Sequence, residues 1–192
     1  MKQITSTICS LLFMACLVKV QAQSEAEMKA WMAYMTPSDM HKMLAKFNGE
    51  WTGEVTLWMT PDAPATTSTV TATNKMVMDG RYQVSTHNGN FGGMPFEGMS
   101  TVAYDNAKKV FISTWIDNMG TGLMTMEGTW DDATKTITFK GKMVDPTTGK
   151  EVNERETFKI VDDNNQVMEM YGTDPKTGKE FKSMEIKYTR KK

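Results

Sequence analysis

Turn-forming residues recur about every ten positions from Glu50 to the C-terminus, and polar and apolar side chains alternate between them. The alternation predicts ten β-strands, at residues 50–60, 67–78, 81–88, 95–104, 109–117, 121–130, 135–144, 150–161, 166–173 and 180–190. The joints between these segments are too short to hold crossover helices. Consecutive strands must therefore pair antiparallel.

A meander of about ten strands rarely stays open, because its two edge strands would expose unpaired backbone groups. We therefore predict one mainly β domain, an antiparallel up-and-down β-barrel of the size that holds a small ligand. A two-sheet sandwich is the alternative that the pattern leaves open. Two joints, 145–149 and 174–178, share the pattern Asp-Pro-x-Thr-Gly, which indicates two similar hairpin turns.

Two short helices are predicted before the strands. Ser24 and Glu27 have the spacing of a capping box. The next apolar residues share one helical face: Met28, Trp31, Met32 and Met35. Thr36 as the cap and Pro37 as the first helical residue then begin a second helix that ends near Phe47.

The first twenty-two residues have the pattern of a removable secretory signal. Lys2 provides the positive start, residues 4–18 are mostly apolar, and residues 20–22 end in a small residue. The apolar run is too short for a stable transmembrane segment. We therefore predict a periplasmic or extracellular protein with three parts: a signal at 1–22, a helical extension at 23–36, and a barrel at 37–192. A lipid anchor at Cys16 is a minor alternative.

Composition excludes several kinds of function for the mature chain. Both cysteines lie in the predicted signal, so no disulfide, thiolate nucleophile or Cys-ligated metal site is expected. Without Lys2 and Lys19, 20 basic and 23 acidic residues remain, and they are interspersed rather than clustered as a nucleic-acid partner requires. The two histidines, His41 and His87, have no zinc-ligand spacing around them.

No nucleophile elbow, phosphate loop or Ser-His-Asp order is present. Methionine is abundant, with 19 in the whole chain, which is typical of an adaptable core or pocket lining and leaves copper binding as a remote alternative. Polar residues in a barrel strand that point inward must be paired or must contact a ligand. The candidate ligand-binding residues are Trp51, His87, Glu97, Tyr104, Trp115, Asp117 and Arg155.

Four ordered motifs also carry a family resemblance. They are Phe47-Asn48-Gly49-Glu50-Trp51-Thr52-Gly53, Met94-Pro95-Phe96-Glu97-Gly98 with Tyr104-Asp105, Trp115-Ile116-Asp117-Asn118-Met119, and Tyr188-Thr189-Arg190. Together they resemble bacterial domain-of-unknown-function family 1579, over residues 38–190. The opening motif is similar to that of calycin-like barrels, a group that includes lipocalins, fatty-acid-binding proteins and haem-binding nitrobindins.

The resemblance implies a lipocalin-like barrel without an assigned activity. Nitrobindins bind haem through a histidine, but no residue here is matched to it, so no cofactor is predicted and haem is an alternative. Our main hypothesis is a non-catalytic barrel that binds a small, largely apolar molecule. One alternative is a structural domain with a filled barrel, whose helix 24–35 engages a partner. The other is an enzyme that uses Asp117, Glu97 or His87 as acid or base.

Overall fold

The computed structural model describes residues 24–192, so the predicted secretory signal and Cys16 lie outside the described residues. It contains two helices, α1 (Glu25–Met35) and α2 (Asp39–Ala45). The ten strands that follow are β1 (Gly49–Leu57), β2 (Thr66–Val77), β3 (Tyr82–Phe91), β4 (Met94–Asp105), β5 (Val110–Asp117), β6 (Met124–Asp131), β7 (Thr136–Asp145), β8 (Lys150–Ile160), β9 (Asn165–Thr173) and β10 (Glu180–Arg190).

The strands form a closed antiparallel barrel, in which each pairs with its neighbours in sequence and β1 also pairs with β10. This closure confirms the predicted barrel over the sandwich. Val55 of β1 lies opposite Ile186 of β10 in the pair that closes the barrel. On its other side it lies opposite Ser68 of β2. Trp51 and Val55 point inward and are almost completely buried. Alternation of inward and outward side chains therefore follows the period of two that the sequence shows.

The chain divides into two compact units, one that ends at Ala33 and one from Tyr34 to Lys192. In the first unit, α1 begins with the predicted capping box. The Ser24 backbone N–H donates to Glu27 Oε2 at 2.7 Å, and the Glu27 N–H donates to Ser24 Oγ at 3.2 Å. Within residues 24–192, no helix has the length and apolar character needed to cross a membrane.

Helix α2 begins later than the sequence suggested. Its N-cap is Ser38 rather than Thr36. The physical reason is His41, whose Nδ1 accepts the Ser38 backbone N–H at 3.0 Å while its ring packs edge-on against Tyr104. His41 is buried, so its imidazole is a structural group at the start of the helix.

Helix α2 contributes a side chain to one end of the barrel interior. Leu44 is 4% exposed and packs among inward-facing residues of three strands, namely Phe111, Met126, Ile137 and Phe139. The Leu44 carbonyl accepts a hydrogen bond from Gln83 Nε2 at 2.8 Å. We call this region the α2 end of the barrel. The C-terminal end of β10 is here too, because β1 begins here and pairs antiparallel with it.

At the α2 end, Arg190 links the end of β10 to the segment that precedes β1. Its guanidinium donates to the carbonyls of Lys46 and Asn48, each at 2.7 Å, and lies 4.3 Å from the centre of the Trp51 ring. The indole Nε1 of Trp51 donates to the Phe47 carbonyl at 3.0 Å. The first and last of the four sequence motifs thus meet in one hydrogen-bonded cluster.

Candidate functional site

The barrel encloses a cavity of about 350 Å³. It extends from Leu44 at the α2 end to Phe91 and Phe96, which flank the turn between β3 and β4. Most of its lining is apolar, from methionine, aromatic and aliphatic side chains. Small residues among the inward positions, such as Ser100 and Ala72, leave the space that larger side chains would fill. A largely apolar cavity with a few polar groups is typical of a small-molecule site.

An aromatic wall lies on the β3–β5 side of the cavity. The Trp115 ring lies over Gly98, where an added Cβ would come within 2.5 Å of the indole, so only glycine leaves room for the ring. Phe96 stacks at 6.2 Å and His87 packs edge-on at 5.1 Å, both measured to the centre of a Trp115 ring. Trp115 Nε1 donates to Asp117 Oδ2 at 2.7 Å, which orients the indole and occupies the carboxylate.

His87 is an uncharged group in the cavity at neutral pH. Burial lowers its pKa to about 4. Its Nδ1 lies 3.5 Å from the hydroxyl of Tyr188, which approaches from β10. Burial raises the pKa of Tyr188, and the charge of Glu156 raises it further, so the phenol keeps its proton.

Two carboxyl groups of β8 face inward without compensating charge. Glu156 lines the cavity and is half-buried. Burial, followed by the charge of Glu154, raises the pKa of Glu156 to about 7. Glu154 is 9% exposed, and its Oε2 atom has no hydrogen-bond partner. Burial and then the charge of Glu180 raise the pKa of Glu154 to about 7.

Gln166 is a further unsatisfied polar group, an unpartnered amide that lines the cavity nearer the α2 end. It is 2% exposed and lies opposite Tyr188 in the β9–β10 ladder, and its Nε2 has no hydrogen-bond partner. We call Glu154 and Glu156, which are two residues apart on β8, the polar wall. No lysine or arginine within residues 24–192 lines the cavity.

The structure brings four of the seven sequence candidates to the cavity: Trp51, His87, Trp115 and Asp117. The other three lie elsewhere. Glu97 is exposed on the outer face of β4. Tyr104 packs against His41 and Phe111 at the α2 end. Arg155 lies on the outer face of β8, where it forms two hydrogen bonds to Glu180 at 2.9 and 2.7 Å and stacks 3.6 Å from the centre of the Tyr171 ring.

The polar wall was not predicted from the sequence, although the alternation of residues in β8 indicates it. Val152, Phe158 and Ile160 occupy every second position together with Glu154 and Glu156. If the apolar residues face inward, the two glutamates must face inward as well. Gln166 and Tyr188 carry no comparable signal, since isolated polar residues occur on both faces of such strands.

The fold is a closed antiparallel barrel with an internal, mostly apolar cavity. The chain belongs to the family described as "Protein of unknown function (DUF1579)", whose model matches residues 36–190. This membership confirms the resemblance seen in the motifs. None of the curated proteins compared matches the chain. Among solved structures, it is similar to the crystal structure of Rv2717c from M. tuberculosis, with a TM-score of 0.61 and 12% identity. The similarity covers 82% of this chain and 100% of that one, and at this identity it shows a shared fold alone.

Proposed function

We propose that the protein is an exported, non-catalytic binding protein that takes a small, largely apolar molecule into its barrel. The observation that carries this proposal is the cavity of about 350 Å³ with its mostly apolar lining. Burying an apolar ligand there releases its surface from water, which is worth roughly 25 cal/mol for each Å². Export rests on the pattern of residues 1–22 and places the ligand in the periplasm or outside the cell.

Catalysis by the three acid–base candidates has less support. Glu97 lies on the outside of the barrel, away from His87 and Asp117. Asp117 is hydrogen bonded to Trp115 and to the backbone N–H of Met119. The three groups therefore do not converge on one reacting atom, as an acid–base site requires.

No cofactor is proposed. A haem bound through His87, the alternative drawn from nitrobindins, fits the residues poorly. The imidazole packs edge-on against Trp115 and faces the Tyr188 hydroxyl through Nδ1, so an iron–histidine bond would require this packing to rearrange.

The proposal is tested with N-phenyl-1-naphthylamine, an uncharged probe that becomes fluorescent in apolar surroundings. We expect saturable binding to the wild type and at least about tenfold weaker binding to Ser100→Leu, because the added side chain occupies the cavity. Met99→Leu is the matched control, since Met99 is the preceding residue of the same strand and is exposed on the outer face. Probe binding that is absent from the wild type, or equal in both variants, would favour the filled, structural barrel.

A further inference from the structure

The strongest unexplained feature of the interior is the carboxyl group of Glu156. It faces the cavity and forms no hydrogen bond or ion pair with any residue in the described part of the chain. A buried carboxylate without a partner is costly, and proteins normally pair such groups or coordinate a metal with them. In a barrel with an open interior, the missing partner can be part of a ligand.

Glu154 is a second carboxyl group with an unpartnered oxygen, next to Glu156 but not among the residues that line the cavity. It is two residues away on the same face of β8, and a strand places such residues about 6–7 Å apart. Its Oε2 is buried and unpartnered, close to Gly172 of the neighbouring strand, where glycine leaves the space for the carboxyl group. Two like charges on one strand face repel each other, so the pair favours a cation between or beside them.

Among residues 24–192, no lysine or arginine lines the cavity to supply that cation. Arg155, between the two glutamates in sequence, points outward and is engaged by Glu180. Lys182 is engaged on the outer face by Glu169 and Glu185. Nor does the wall form a metal site, since no group of three or more His, Cys, Asp or Glu residues in 24–192 has a metal-binding arrangement.

The rest of the lining suits an organic cation. Trp115, Phe96 and Tyr188 present aromatic surfaces to the same cavity, and aromatic faces attract cations, most strongly where water is excluded. Methionine side chains such as Met168 and Met170 provide an adaptable apolar surface for a hydrocarbon body. A carboxylate ligand, by contrast, would meet Glu156 with no positive side chain to offset the repulsion.

We propose that the ligand is an amphipathic organic cation, an amine with an apolar body, whose protonated nitrogen binds the carboxylate of Glu156 inside the barrel. The proposal rests on the binding function proposed above and specifies the charge of its ligand. Glu154 adds negative potential beside the nitrogen, and the aromatic wall contacts the apolar body.

The test compares three competitors with ten carbon atoms and different polar groups: decylamine, decanol and decanoate. Each displaces N-phenyl-1-naphthylamine from the wild type at about pH 8, where the amine is protonated and Glu156 is mostly ionised. We expect decylamine to bind about tenfold or more tightly than decanol, and decanoate to bind most weakly. In Glu156→Gln the advantage of the amine over the alcohol should disappear.

Glu97→Gln is the matched control, because it removes the same charge from the outer face of the barrel. It should leave all three affinities within about twofold of the wild type. Should Glu156→Gln fail to fold, Glu154→Gln replaces it, and a several-fold loss of amine affinity is expected because the second negative charge is removed.

A pH series adds a second readout. Glu154 is next to Glu156, and the other titratable groups that line the cavity are Asp117, His87 and Tyr188. Between about pH 8 and 5.5 the two glutamates gain protons, whereas His87, with a pKa of about 4, and Tyr188, whose pKa is raised, keep their state. Decylamine affinity should therefore fall on acidification while decanol affinity stays constant.

The outcomes separate the two proposals. If the probe and decanol bind but decylamine binds no more tightly, or if Glu156→Gln keeps the preference for the amine, the cationic ligand is wrong and the apolar binding function stands. If neither the probe nor any competitor binds the wild type, the binding function itself fails.

Discussion

Three polar side chains at the α2 end of the barrel have hydrogen-bond partners in the protein, whereas the polar wall has a buried carboxyl oxygen without one. At the α2 end, Gln83, Trp51 and Arg190 all donate to backbone carbonyls of the 44–48 segment. On the polar wall, Glu154 Oε2 has no hydrogen-bond partner, and burial raises the pKa of both Glu154 and Glu156 to about 7. Satisfied groups of the first kind stabilise a fold, whereas unsatisfied groups of the second kind cost stability. We infer that the polar wall is maintained for binding and the α2 end for stability.

The largest effect is expected from Arg190→Met, which tests the α2 end. The change removes the hydrogen bonds to Lys46 and Asn48 and leaves those carbonyls without their donors. The free energy of unfolding in urea should fall by about 3 kcal/mol. Lys191→Met, at the neighbouring exposed position, should change it by less than about 0.5 kcal/mol. Equal effects of the two substitutions would contradict the role given to Arg190.

The next effect concerns the pH dependence of stability on the polar wall. Because the pKa of Glu156 is raised, the folded state holds its proton more tightly than the unfolded state does. The free energy of unfolding should therefore fall as the pH rises from about 4.5 to 7. Glu156→Gln removes this loss, so the variant should exceed the wild type by about 2 kcal/mol at pH 8 and by little at pH 4.5.

Urea denaturation at several pH values measures this difference. Glu97→Gln, on the outer face, should follow the wild type throughout the range. A constant difference between Glu156→Gln and the wild type at all pH values would show that Glu156 is not titrating in the folded barrel.

A smaller effect distinguishes the two buried glutamines directly. Gln83→Met removes the donor to the Leu44 carbonyl and should lower the free energy of unfolding by about 1–2 kcal/mol. Gln166→Met, which has the same change in shape, removes an amide Nε2 that has no partner and should be neutral or slightly stabilising. Thermal denaturation of the two variants side by side is sufficient. The reverse order would contradict the distinction between a buried amide that has its hydrogen-bond partner and one that lacks it.

The sequence predicted the architecture well because hairpin joints and a period of two are local signals. All ten strands are present, and no predicted strand boundary differs from the structure by more than three residues. The start of α2 was predicted less accurately. Its cap depends on His41, which contacts both Ser38 and Tyr104, and Tyr104 lies on β4, far away in the sequence.

The candidate site was predicted less completely, because the sequence does not specify which face of a strand is inside. A slip by one residue inverts every side chain, and Glu97 and Arg155 turned out to face outward. Tyr104 shares the inward alternation of β4 but lies at the α2 end, under His41, rather than at the cavity. Trp115 and Asp117 were found together because they are two residues apart on one strand.

Native mass spectrometry of the protein isolated from its own host shows directly whether the barrel holds a small molecule. We expect the wild type to carry a small-molecule adduct that is lost on denaturation and contains a basic nitrogen. Ser100→Leu, with its cavity filled, should lack the adduct, and Met99→Leu should keep it. Spectra that show only the mass of the polypeptide for the wild type and both variants would contradict the account.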